Sequence, residues 1–154
     1  MDAYERLRAL GLTLPKTPVA AGNYVPAKLC GDMLYLAGQG PGRPDGSWHV
    51  GKVGRDVGWE EAYQHARIVG LQLLGVVNDF VGDLHRVEVI KVLGMVNAVA
   101  EFTDHPKVIN GASDLFVEVL GEAGRHARSA VGMASLPKNI TVEVEAILRV
   151  SPRA

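Results

Sequence analysis

Residues 126–150 read HARSAVGMASLPKNITVEVEAILRV, and the way this stretch is paired decides the fold. It divides into two β-rich runs around a turn at Leu136–Pro137. The second run alternates. Val142, Val144 and Ala146 fall on one side, Glu143 and Glu145 on the other, which is the period of a strand with one apolar face. The first run opens with Arg128, ahead of small apolar residues. A guanidinium beside an apolar strand is costly unless it finds a partner. Read as a hairpin, the stretch sets Arg128 and Glu143 on neighbouring strands, and two readings of the pair stand. One is a surface salt bridge, worth roughly 0–1 kcal/mol. The other is a site in which the guanidinium grips a carboxylate by two parallel hydrogen bonds while the glutamate orients or deprotonates a water.

Upstream, residues 84–98 (LHRVEVIKVLGMVNA) are rich in β-branched residues and apolar on both faces, as a central strand is. Between this strand and the quoted stretch, Val108, Ile109, Ala112, Leu115, Phe116, Val119 and Leu120 recur at helical spacing. Asp104, His105 and Pro106 suit the start of that helix, and Gly121 and Gly124 suit its end. A first long helix is expected over 57–81, with a stripe of Ala62, Ala66, Val69, Leu73, Val76, Val77 and Phe80. Asp56 is its expected N-cap and Gly82 its stop. Residues 24–41 form a hairpin around Gly31–Asp32, residues 41–58 a loop with a short strand near Trp48–Val50, and residues 3–11 a short helix.

The order is thus ββ(β)-α-β-α-ββ, and the economical packing is a single α+β domain with one sheet and both long helices on one face. Residues 1–17 are an N-terminal helical extension to it. The other face would carry Thr141, Glu143, Glu145, Ile147 and Arg149. Ile147 and the second apolar face of the central strand ask for a cover, and another copy of the chain is the simplest one.

Sixteen basic against seventeen acidic residues leave no field that would draw in nucleic acid or an anionic membrane. The lone Cys30 excludes an internal disulfide, disfavours a thiolate zinc site and reads as a buried, inert thiol. The five histidines show no metal-ligand spacing and read as solvated or capping. Gly38, Gly40 and Gly42 lack the Gly-Lys-Ser/Thr of a phosphate loop and read as turn glycines. With a charged N-terminus and no long apolar run, the expected compartment is the cytoplasm.

ARSAVGMASLPKNITVEVEAI resembles the C-terminal signature of the YjgF/RidA family of reactive-intermediate imine deaminases. That signature has arginine-serine, Leu-Pro-Lys and a Glu-x-Glu-Ala strand. YLAGQGP, VINGASDLF and GNYVPA are similar, in order, to its Gly-Gln strand end, its asparagine helix start and its tyrosine segment. The resemblance spans about residues 18–150, and the N-terminal helix and the LGEAGRH loop mark a divergent branch. It implies a chorismate-mutase-like fold, a homotrimer with clefts between subunits, and hydrolysis of 2-aminoacrylate-like imines and enamines to 2-keto acids and ammonia, with no metal or organic cofactor. Carried over by position, Arg128 holds the substrate carboxylate and Glu143 positions water. Tyr24, Gly38, Gln39, Asn110 and the backbone at Ala130 complete the site. Ala130, Ala37, Gly132 and Val25 depart from the family's usual residues, so the anchor is kept while the rest of the pocket is altered. The alternatives are a trimer that binds carboxylate metabolites or a protein without turnover, and, disfavoured by the neutral net charge, a ribonuclease.

Overall fold

A computed structural model describes residues 1–153. Five strands, β1 (Ala27–Cys30), β2 (Met33–Leu36), β3 (Val87–Asn97), β4 (Ala127–Met133) and β5 (Val142–Val150), form one sheet in the order β1-β2-β5-β3-β4. The helices are α1 (Ala3–Ala9), α2 (Trp59–Val81) and α3 (His105–Leu120). This is the mixed α+β architecture expected, with β5 in the middle, β3 interior beside it and β4 at an edge.

The pairing of the quoted stretch is different. β4 and β5 are not a hairpin, because β3 lies between them, parallel to β4 and antiparallel to β5. The reason is the crossover. β3, α3 and β4 form a β-α-β unit, which returns the chain parallel to the strand it left. The same arrangement separates Arg128 from Glu143. Arg128 is registered with Val92, which is paired with Ala146, whereas Glu143 and Val131 are both registered with Met95. Paired residues share a face, so Arg128 points to the helices and Glu143 to the open side of the sheet. The two are not a salt bridge.

α2 lies over β5 and β1, and α3 over β3 and β4. All seven stripe residues of α3 are buried, as are Ala62, Ala66, Val69, Leu73, Val76 and Val77 of α2. Against them pack Leu34, Val92, Val96, Val142, Val144 and Leu148 of the sheet. The helices approach closely at Gly111, where a methyl group would come within 2.0 Å of the Tyr63 carbonyl oxygen. α1 opens on a capping box of Asp2 with Glu5 and docks Leu7 into the same core.

Several expectations are corrected. Phe80 is 51% exposed and lies outside the buried stripe. α2 starts after Gly58, because the Asp56 carboxylate instead accepts from the backbone N–H of Lys52 and from Arg55. Cys30 is exposed, since β1 is an edge strand. Thr141 is fully buried and pairs with His65, which itself is buried and stacked on His49 rather than solvated. Among the described residues no helix is long and apolar enough to cross a membrane.

The open face is apolar at Ile147, Leu93 and Met95, which are partly buried, and at Tyr35 and Val131, which are exposed. Glu143, Glu145, Lys91 and Arg149 stand among them by register.

Candidate functional site

The structure sorts the expected site residues into two clusters. Tyr24, Gly38, Gln39 and Glu143 line one cleft of about 1130 Å³, together with Trp48, Leu71 and Ile140. Arg128 opens on a smaller pocket of about 270 Å³ beside Ser113 and His126.

The cleft forms where the chain leaves β2. Gln39 bridges to Val144 on β5 through paired backbone hydrogen bonds, so residues 37–40 continue the sheet past the end of β2. The Gln39 side chain accepts from Gln72 Nε2 on α2 at 3.0 Å, and the same nitrogen donates to the Gly40 carbonyl at 2.9 Å. Gln72 Oε1 in turn accepts from the Gly42 backbone N–H. Gln72 thus pins the glycine-rich loop to the helix, a role the sequence did not reveal. Gly38 lies directly against Glu143, and a Cβ there would meet Oε2 at 2.7 Å. Only glycine leaves the Glu143 carboxyl its place. Burial, and next the like charge of Glu145, raise the pKa of Glu143 above the ordinary 4.5. That is the direction a proton-accepting group at a water needs. Tyr24 is half exposed, and its hydroxyl accepts from the Ala21 backbone N–H.

The floor of the cleft is held by the Leu136–Pro137 turn. Lys138 and Asn139 both take left-handed backbone angles, φ 55° and 56°, which Asn tolerates better than Lys. Asn139 is fixed by Asn97 Nδ2, which donates to its Oδ1 at 2.9 Å. Lys138 Nζ sits 5.5 Å above the Trp48 ring.

In the second cluster, α3 presents Asn110 and Ser113, three residues apart and so on one helix face, to the helix-facing side of β4. Arg128 Nη1 donates to Asn110 Oδ1 at 2.7 Å and to Ser113 Oγ at 3.1 Å. Both Nη1 protons are therefore committed to neutral acceptors. Among the described residues no carboxylate pairs with Arg128, and its Nε and Nη2 make no hydrogen bond. That edge carries two parallel N–H donors, the fork that a carboxylate accepts bidentately. The group is partly buried, and desolvation lowers its pKa while the nearby Asp114 opposes. Ala130, registered with Gly94 on β3, lies on the edge strand, whose outer backbone groups have no partner strand. Ser113 and His126 were not expected here. Their contact depends on α3 crossing β4, which no local motif encodes. Among the described residues no three His, Cys, Asp or Glu side chains converge as a metal site would need.

Residues 4–147 match a family model described as "YjgF/chorismate mutase-like, putative endoribonuclease". The chain is 40% identical to Protein TCP17 of Trypanosoma cruzi over 147 residues, 94% of this chain and 92% of that one. Its fold matches the crystal structure of Atu1372, a protein of unknown function from Agrobacterium tumefaciens, with TM-score 0.88 and 45% identity over 97% of this chain and 94% of the other. It also matches the crystal structure of a "putative endoribonuclease" from Shewanella oneidensis MR-1 with TM-score 0.93 and 32% identity, covering 97% of this chain and 100% of the other. The signature around Arg128, the sheet with its two covering helices and these likenesses agree: the chain belongs to the YjgF/RidA family.

Proposed function

We propose that the protein hydrolyses small 2-imino and enamine acids to 2-keto acids and ammonia, in a homotrimer whose sites each take Arg128 from one chain and Glu143 from the next. The observation that carries the reading is the state of Arg128: partly buried, without a carboxylate, pinned at Nη1 and open along its Nε–Nη2 edge. A partly buried guanidinium held in this way binds a planar anion with little loss of freedom. Asn110 and Ser113 hold the anchor, and the β4 edge at Ala130 offers backbone groups beside it.

Glu143 supplies the other half. Its raised pKa suits it to take a proton from water as the water attacks the imine carbon, giving a carbinolamine. The imine reacts in its protonated form. Return of the water proton from Glu143 to the carbinolamine nitrogen, followed by loss of the hydroxyl proton to the same carboxylate as the C=O bond forms, lets ammonia leave. Gly38 gives the carboxyl its room, Gln39 shapes the strand end, and Tyr24 closes the cleft. Arg128 and Glu143 face opposite sides of one sheet, so a single chain cannot bring both to one small substrate. The apolar open face and the free β4 edge support a second copy as the missing wall.

Ammonia release from freshly generated 2-aminoacrylate tests the reading. Wild type should exceed the uncatalysed rate, and Arg128→Ala should weaken carboxylate binding by about 1.5–3 kcal/mol, the scale of a hydrogen bond to a charged group. Identical background rates for both proteins would remove the catalytic claim.

A second reading, carboxylate binding without turnover, is favoured by the departures at Ala37, Ala130, Gly132 and Val25, which keep the anchor while altering the side chains around it. Under it, pyruvate raises the Tm of wild type but not of Arg128→Ala, and no product forms.

A further inference from the structure

Gly38, Gly40 and Gly42 alternate along the segment that borders the cleft. None has a left-handed backbone, so no turn requires glycine there, and the turn role read from the sequence does not hold. Each is glycine because of what a Cβ would meet. At Gly38 it would meet Glu143 Oε2 at 2.7 Å, at Gly40 the Ile140 Cδ1 at 2.6 Å and the Trp48 ring at 3.5 Å, and at Gly42 the Gln72 Oε1 at 3.2 Å. All four side chains line the cleft. The bare backbone lets them lie back against the segment, and the space they leave open is the cleft itself.

That space is far larger than a three-carbon imine needs. At about 1130 Å³ it is of the size that holds drug-sized ligands. Past Gly40 its walls are Trp48 and Ile140, with Ile68 and Leu71, which stand three residues apart on one face of α2. Pro15 adds a wall from the N-terminal extension. That segment is held to α2 by Thr17, whose backbone N–H and hydroxyl donate to Asp79 Oδ2 at 2.9 and 2.7 Å. The polar groups at this end are already engaged, since the Gln72 amide donates to Gln39 and Gly40 and accepts from Gly42. Glu143 is the only carboxylate among the lining residues.

We propose that this end of the cleft is a side-chain subsite, that the substrate is a 2-imino acid carrying a bulky apolar side chain, and that Gly40 sets how large a side chain enters. The inference rests on imine hydrolysis at Glu143 and goes beyond it by naming the side chain. With the carboxylate at a neighbour's Arg128 and the imine carbon at Glu143, the side chain is the part left to fill the space toward Trp48. A polar side chain would find few free partners there, whereas an apolar one gains by leaving water. Gly40 is the control point because Ile140 is buried against it. A methyl group at position 40 must displace the end of the Ile140 side chain, and the displaced chain takes up room in the cleft it lines.

The test compares two imines released in situ from D-alanine and D-phenylalanine by a D-amino-acid oxidase, with catalase present. Semicarbazide traps the imine that has not been hydrolysed, so the fall in semicarbazone reads kcat/KM for each, set against its own uncatalysed rate. Wild type should favour the phenylalanine-derived imine at least about tenfold, the discrimination an apolar pocket gives a larger side chain. Gly40→Ala should lower that ratio at least about tenfold. Adding Ile140→Val, which removes the methyl that a Cβ at position 40 would meet, should restore most of it. Leu71→Trp fills the same space from the helix and should also lower the ratio, with the backbone at Gly40 untouched. If wild type hydrolyses both imines equally, or favours the alanine-derived one, the side-chain assignment falls and imine hydrolysis stands. If the folded Gly40→Ala and Leu71→Trp proteins keep the wild-type ratio, the subsite is not here and the proposal falls. If folded wild type hydrolyses neither imine above the uncatalysed rate, the hydrolysis reading falls and the proposal falls with it.

Discussion

Leu148 and Ile147 are neighbours on β5 and opposites in surroundings. Leu148 is 2% exposed and lies on the inner face of the sheet, in the core beneath the helices, while Ile147 is registered with Tyr35 and Lys91 on the face that no helix covers. The inner face is finished within one chain, since its side chains pack on helices and its buried His65 and Thr141 satisfy one another. The outer face is uncovered, with apolar side chains next to Glu143 and Glu145, and β4 leaves one edge of the sheet open. The two halves of the proposed site divide in the same way, Arg128 to the finished face and Glu143 to the unfinished one. The lesson is that stability and function draw on different sides of one sheet, so substitutions should separate them.

The largest separation is expected at this pair. Leu148→Ala should lower the unfolding free energy by about 2–5 kcal/mol, the usual result of a cavity in a tight core, as measured by urea denaturation. Ile147→Asp should leave far-ultraviolet dichroism and the helix-side core intact but reduce the molar mass seen by light scattering to that of one chain. An unchanged mass would mean that another copy does not cover this face.

Complementation comes next. Arg128→Ala and Glu143→Gln should each be nearly inactive alone. Mixed after partial unfolding and refolded together, they should recover roughly a quarter of wild-type sites, the share in which random assortment pairs an intact Arg128 with a neighbour's intact Glu143. No recovery in properly reassembled mixtures would show that both residues must come from one chain, which the single-chain geometry forbids, and the shared-site reading would go.

The finished face has its own pH signature. His65 is buried, and burial first, then His49 and Arg43, push its pKa down to about 4 from the ordinary 6.5. The folded state therefore refuses a proton that the unfolded chain takes up. Its contribution is complete above pH 6.5 and is lost as pH falls from there toward 4, at up to about 1.4 kcal/mol per pH unit. His65→Gln should flatten that part of a stability–pH curve, whereas Glu143→Gln, on the other face, should not.

How much of this could be read in the sequence follows from the range of each signal. Helical stripes are local, and the α3 stripe was legible residue by residue. Phe80 was not, because periodicity gives the angle around a helix and not how far the covering surface extends along it. Strand pairing is not local. Residues 126–150 look like a hairpin in isolation, yet the β-α-β order of β3, α3 and β4 already required β4 to lie parallel beside β3. Arg128 and Glu143 stood out from the strand pattern, and Tyr24, Gly38, Gln39, Asn110 and Ala130 were expected from their positions in a family signature; neither signal says which face of the sheet each residue occupies. Ser113, His126 and Gln72 were missed because each acts across a helix–sheet or helix–loop contact that no spacing records.

The smallest effect tests the finest point of the comparison. Gly38 contacts only the outer half of the site, through Glu143. A methyl group added there must push the carboxyl aside, because 2.7 Å is closer than a Cβ and a carboxylate oxygen can stand. The Glu143 side chain can rotate, so Gly38→Ala should cost little stability and should not touch the Arg128 fork. Carboxylate affinity should stay within about twofold, while kcat for imine hydrolysis falls by about three- to tenfold, as expected when a group is displaced from the position it needs in the transition state. Loss of affinity with kcat preserved would reverse the assignment, making Glu143 a binding contact and leaving water activation to another group.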